Sequence, residues 1–188
     1  MGRLLAFNSI SLDGYFTDAN GDMSWLYNPK KDEEWDAYVA GNASGGGVLV
    51  LGRVTYELMK KYWPTPAAVE NNPVVAKRMN SGQKVVFSRT IGSSDWENTR
   101  FVKNNMAGEI RRLKNMPDVH MAILGSGSII AQLTQERLID EYQFVITPMV
   151  LGKGRTMFDG VKDKVQLKLT SSRTFSNGNV VLIYVPAS

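Results

Sequence analysis

Short aliphatic runs that stop at a glycine or serine and turn at once into a new segment recur along this chain, in GGGVLVLG (45–52), KVVFSRT (84–90) and VHMAILGSGSIIAQL (119–133). Runs of this kind, bounded by turn signals, read as buried strands, and buried strands belong to sheets covered by helices. The intervening segments have helical character: RVTYELMKKYW stopped by Pro64, a stretch from Pro73 to Gly82, and NMAGEIRRLKNMPD with Met106, Ile110 and Leu113 on one face. The segment after the Gly125 and Gly127 pair continues the pattern, with Ile129, Ile130 and Leu133 inward. A further helix is expected over 32–41, where acidic residues complement its N-terminus and Gly41-Asn42 ends it. Residues 3–11 read as a strand closed by Asp13-Gly14, 99–102 as a short strand, 141–154 as one long strand, and Asn177-Gly178 as the turn of a final hairpin. The sum is an α/β chain, one domain over 1–188, with a mostly parallel sheet edged by antiparallel strands.

Composition narrows the function classes. The 22 basic and 18 acidic residues leave a net charge of +4, which suits a small anionic ligand, but no basic run marks a nucleic-acid groove. The chain has no cysteine and a single histidine, His120, so disulfides, thiolate catalysis, cysteine-ligated zinc and His-rich metal sites are excluded within it. No stretch has the length of a membrane span or of a secretory signal, and a cytoplasmic location without membrane partners is the expectation.

In an open α/β sheet, ligands bind outside the carboxyl ends of the strands. Three such ends carry anion-binding chemistry: Gly52-Arg53-Val54-Thr55, Ser88-Arg89-Thr90 and Gly125-Ser126-Gly127-Ser128. Glycine lets a ligand approach the backbone, the first-turn amides of a following helix are free, and arginine and hydroxyl groups add charge and donors. The glycine pair is not a Rossmann fingerprint, because Ile130 stands at the third glycine, nor a P-loop, because no Lys-Ser/Thr follows. Ser126 lacks the GxSxG setting of a hydrolase nucleophile, and His120, near the start of its strand, reads as structural. The loop after the first strand carries Tyr15, Phe16, Trp25 and Tyr27, too many aromatics for a solvated linker, and folds over its own core or over a ligand.

In order and spacing, SISLDGYFTD, LVLGRVTYE, VVFSRT, AILGSGSIIAQL and LIDEYQFVITPMVLGKGRTMF resemble the dihydrofolate reductase-like superfamily, specifically relatives of the reductase domain of the riboflavin-biosynthesis deaminase-reductase. The resemblance implies a three-layer α/β fold, NADPH as cofactor, a homodimer, and reduction of a small heterocycle, nominally 5-amino-6-(5-phosphoribosylamino)uracil. At matched positions it implies Gly52, Arg53 and Thr55 for the pyrophosphate and adenosine side, and Ser88 and Arg89 for the ribose 2′-phosphate. It implies Gly125, Ser126, Gly127, Ser128 and Ile129 as a second phosphate-binding turn, with Ser9, Asp13, Tyr15 and Phe16 lining or covering the nicotinamide. Asp36 falls where the folate enzymes carry a helix-borne carboxylate, and is the expected catalytic residue. Leu124-Gly125-Ser126 departs from the Glu-Gly-Gly of riboflavin-pathway reductases, whose glutamate contacts the ribityl or ribosyl part of the substrate. Dihydrofolate reduction, and NADPH binding without turnover, are the two other readings these residues allow.

Overall fold

Strand β3 (Val48–Gly52) shows in four residues how the layers form. Val48 and Val50 enter one apolar cluster, Leu49 and Leu51 another, and none is more than 7% exposed. The period of two along a strand thus makes an uninterrupted aliphatic run bury both faces of the sheet. A computed structural model gives the fold of residues 1–26 and 32–187, so Tyr27 lies outside the described residues.

Around β3 stand β1 (Arg3–Ser11), β4 (Gln83–Phe87), β5 (Thr99–Val102), β6 (His120–Leu124), β7 (Glu141–Thr147), β9 (Leu167–Thr174) and β10 (Val180–Pro186), in the order β5-β4-β3-β6-β1-β7-β10-β9. All pairings from β5 to β7 are parallel, whereas β10 runs antiparallel to both β7 and β9. On one face, α5 (Met106–Lys114) and α6 (Gly127–Gln135) pack Ile110, Leu113, Ile129, Ile130 and Leu133 against Leu4, Ala6, Val50 and Ile123. On the other, α2 (Arg53–Tyr62) and α4 (Pro73–Ser81) place Tyr56 and Met79 on Leu49, Leu51 and Val86. Farther along that face, α1 (Glu33–Ser44) lays Trp35 and Tyr38 against Phe7, Val145 and Phe175. The expected mostly parallel sheet with an antiparallel hairpin and helices on both faces is the observed one.

Several elements differ from expectation. The first helix takes Asp32 as its N-cap and runs through Gly41 to Ser44; the chain leaves it instead at Gly46 and Gly47, with φ of +69° and +90°. A side chain at Gly47 would stand 2.4 Å from the His120 carbonyl oxygen, so the close approach of this turn to β6 demands glycine there. The long strand expected over 141–154 ends at Thr147, before Pro148, and the chain then returns as β8 (Gly154–Thr156), which pairs antiparallel with β2 (Tyr15–Asp18) in a separate two-stranded sheet. An additional short helix, α3 (Pro66–Asn71), starts where the Thr65 hydroxyl accepts from the Ala68 amide and proline occupies the first turn.

Candidate functional site

Because β4, β3 and β6 are neighbours, their carboxyl ends open side by side, and the chain leaves each through one of the three motifs named above. They border a groove of about 1220 Å³, whose lining includes Gly52, Arg53, Thr55, Ser88, Arg89, Ser126, Gly127, Ser128 and Ile129. Gly125 lies behind this lining at φ +58°, and a side chain on it would reach 2.8 Å from Thr55 Oγ1. The strand ends of β3 and β6 are therefore in direct contact, and they are fastened by a hydrogen-bond chain. The Gly52 amide donates to Ser126 Oγ at 2.7 Å, and Ser126 Oγ donates to Thr55 Oγ1 at 2.9 Å. Ser88 is buried and its Oγ accepts from the Ile91 amide at 3.0 Å, which shapes the turn that presents Arg89.

The small β2–β8 sheet forms the opposite wall. Phe16 lines the groove and lies against Gly127, where an added side chain would meet its ring at 2.8 Å. Thr17 pairs with Arg155 across this sheet, and both border the groove. Tyr15 pairs with Thr156 but does not line the groove, and Trp25 stands in a short 3-10 turn (Ser24–Leu26) beyond it.

Lys103 and Arg155 are cationic lining residues that the sequence did not single out. Lys103 directly follows the strand read over 99–102, so the same strand-end logic reaches it. Arg155 stayed hidden because β8 was merged into the strand before it. Among the described lining residues, Arg53, Arg89, Lys103 and Arg155 stand against one carboxylate, Asp159. Arg53 also pairs with Glu57 one turn along its helix at 3.1 Å, an exposed pair that leaves the guanidinium at the groove edge. The groove is a positively charged trough bordered by the N-termini of α2, α5 and α6, which attracts anionic ligands.

Ser9, Asp13 and Asp36 are not part of the lining. Ser9 is half-buried on β1 opposite Val145. The Asp13 carboxylate accepts from the Ser11 hydroxyl at 2.6 Å and from the amides of Leu151 and Gly152 at 3.1 and 2.7 Å. These bonds, that of Ser11 foremost, hold its pKa below the usual carboxylate value and fasten the first loop to the turn before β8. Asp36, the expected catalytic carboxylate, does not border this groove. It is exposed in the first turn of α1, because Trp35 and Tyr38 take the face that packs on the sheet. Its carboxylate complements the helix N-terminus together with Glu33 and Glu34. Among the described residues, no group of three or more histidine, cysteine or acidic side chains is placed to hold a metal, and no helix is long and apolar enough to cross a membrane.

Residues 3–181 match the family model of the RibD C-terminal domain. The chain belongs to the RibD C-terminal domain family. The chain is similar to YyaP of Bacillus subtilis, 29% identical over 97% of this chain and 94% of that protein. YwjB of the same organism is 25% identical, covering 98% of each. A Shewanella structure named for riboflavin biosynthesis superposes with a TM-score of 0.79 at 21% identity, covering 99% of both chains. The Thermotoga maritima deaminase and 5-amino-6-(5-phosphoribosylamino)uracil reductase matches with a TM-score of 0.68 at 16% identity, and the RibD-type domain described here spans 57% of it. Dihydrofolate reductase of Enterococcus faecalis, solved with NADP(H), gives a TM-score of 0.64 at 13% identity over 97% of that enzyme. The fold is thus dihydrofolate reductase-like.

Proposed function

We propose that this protein is an NADPH-dependent reductase of a small heterocyclic substrate, of the type found in riboflavin biosynthesis. The observation that carries the reading is the convergence of three strand ends on one groove whose described lining holds four cations. The groove fits the cofactor: an elongated anion needs cations at one end and free amides at the other, and glycines must let it approach the backbone. Arg53, Arg89 and Lys103 supply the first and, with the Ser88 hydroxyl, would hold the 2′-phosphate end. The first turns of α2 and α6 supply the second and would hold the diphosphate. When bound, NADPH supplies a hydride. The chain's own residues bind and orient it, and Phe16, on the wall formed by β2 and β8, excludes water from one side.

Leu124, at the end of β6, bears on the substrate. It is half-buried, packs against the cluster around Leu51 and Tyr56 and is absent from the groove lining, so the position offers no carboxylate to grip a ribosyl chain. A flat heterocycle without a polyhydroxyl arm suits such a position. The test is thermal denaturation with NADPH and with NADH at saturating concentration. A ligand that binds the native state raises the melting temperature. NADPH is expected to do so more than NADH, and an unchanged melting temperature with NADPH would sink the reading.

A further inference from the structure

We infer that Ser126 is a positioning residue that acts through Thr55, joining the N-termini of α2 and α6 into one diphosphate-binding unit. The inference rests on the NADPH reading above and specifies how the site is held together.

A serine at the N-cap of a helix ordinarily turns its hydroxyl onto an amide of its own first turn. Ser126 is the N-cap residue of α6, yet makes no such bond. Gly52 is the N-cap of α2 and has no side chain to do so. In α1, α3 and α5, by contrast, Asp32, Thr65 and Asn105 each cap their own helix. Of the three helices that begin at the groove, α5 is capped by Asn105, whereas α2 and α6 start without a side-chain cap, as α4 does away from it, and their first-turn amides are left for a ligand.

The hydroxyl withheld from α6 bridges to the other helix. Ser126 Oγ accepts the Gly52 amide at 2.7 Å and has one proton to give, directed at Thr55 Oγ1 at 2.9 Å; the alternative acceptor, the Leu124 carbonyl, is farther at 3.3 Å. Because Thr55 Oγ1 accepts that proton, its own proton is free to point into the groove that Thr55 lines. The chain of bonds runs in one direction, from the Gly52 amide through Ser126 to Thr55 and out to an anionic oxygen. The backbone conformation strengthens the argument. Ser126 has φ +61°, a left-handed conformation in which glycine is the unstrained residue, so the hydroxyl is the property that the position requires.

The experiment is titration calorimetry of wild type, Ser126→Gly, Thr55→Ala and Thr55→Ser with two ligands: NADPH, and adenosine 2′-phosphate, which carries the adenosine end without a diphosphate. Ser126→Gly removes the hydroxyl while relaxing the left-handed backbone, so the variant folds. It and Thr55→Ala are each expected to weaken NADPH on the order of tenfold, the size of one buried hydrogen bond left unmade. The double variant loses no more than either single one, because both break the same chain. Adenosine 2′-phosphate binds all variants as it binds wild type, and Thr55→Ser retains NADPH. If Ser126→Gly binds NADPH like wild type, or weakens both ligands equally, the inference falls while the NADPH reading stands. If wild type itself fails to bind NADPH, the reading falls and takes this inference with it.

Discussion

The ring of Phe16 occupies the space in which a side chain on Gly127 would have to stand, 2.8 Å from the position of its β-carbon. Gly127 opens α6 and Phe16 belongs to β2, so the contact seats the β2–β8 wall directly on the N-terminus of a groove-lining helix. Gly127→Ala is expected to push the ring and its strand outward, costing about 1–3 kcal/mol of stability, the range of overpacked sites. It should also weaken NADPH binding, and both effects can be read from urea denaturation and calorimetry. Phe16→Ala should cost less stability in the Gly127→Ala background than in wild type, since there it also removes the atoms that clash.

Arg89 and Lys103 leave the ends of adjacent parallel strands and border the same end of the groove. Arg89→Ala and Lys103→Ala are each expected to lower affinity for NADPH roughly tenfold, the scale of one charge-assisted contact, while leaving NADH nearly unchanged. The ratio of the two dissociation constants is the measurement. An equal loss for both dinucleotides would place these cations elsewhere than at the 2′-phosphate.

Lys84 on β4 is 1% exposed and donates from Nζ to the carbonyls of Asn80 and Gly82 at 3.2 and 2.7 Å, over the ring of Trp96. Burial, helped by the nearby charge of Arg78, lowers its pKa from 10.5 to about 8. Between those values the folded chain has released a proton that the unfolded chain still binds, so the unfolding free energy rises with pH across that window. The gain amounts to about 3 kcal/mol at most. Urea denaturation at pH 8 and pH 10 should show the rise in wild type. Lys84→Met should lack this component.

Glu109 on α5 accepts from Arg112 Nε and Nη2 at 3.0 and 2.8 Å and pairs with Arg100 of β5. The Arg112 hydrogen bond is the largest cause that holds its pKa at about 2, below the ordinary 4.5. Its contribution is complete above 4.5 and disappears as the pH falls toward 2. Both arginines are about half exposed, which keeps the effect near 1 kcal/mol. Glu109→Gln should therefore be less stable than wild type at pH 7, and the gap should narrow at pH 3.

Elements whose signal is local were legible in the sequence. β3 and β4 announce themselves as aliphatic runs, and α5 by the spacing of Met106, Ile110 and Leu113. β8 was not legible, because Gly154–Thr156 is a strand only through its pairing with β2, more than a hundred residues earlier, and carries no alternation of its own. The end of α1 was hidden for the opposite reason: Gly41-Asn42 is a good local stop, but the helix continues to Ser44 because the turn toward β6 must be made at Gly46 and Gly47. At the groove, the motifs identified the strand ends but not their fastening. That Ser126 faces α2 rather than its own helix depends on two strands being neighbours, which spacing along the chain does not encode.

Asp32 carries a consequence for how the chain comes apart. Its Oδ1 caps α1 by accepting the Trp35 amide, while its Oδ2 accepts the Ser176 hydroxyl and the Asn177 amide at the turn of the final hairpin. One carboxylate thus joins the first helix to the last two strands, and these bonds, that of Trp35 foremost, hold its pKa below 3.8. Protonation weakens both attachments in a single event. Acid should therefore raise hydrogen exchange at the start of α1 and at the hairpin turn together, two places 145 residues apart in the chain that answer to the same proton.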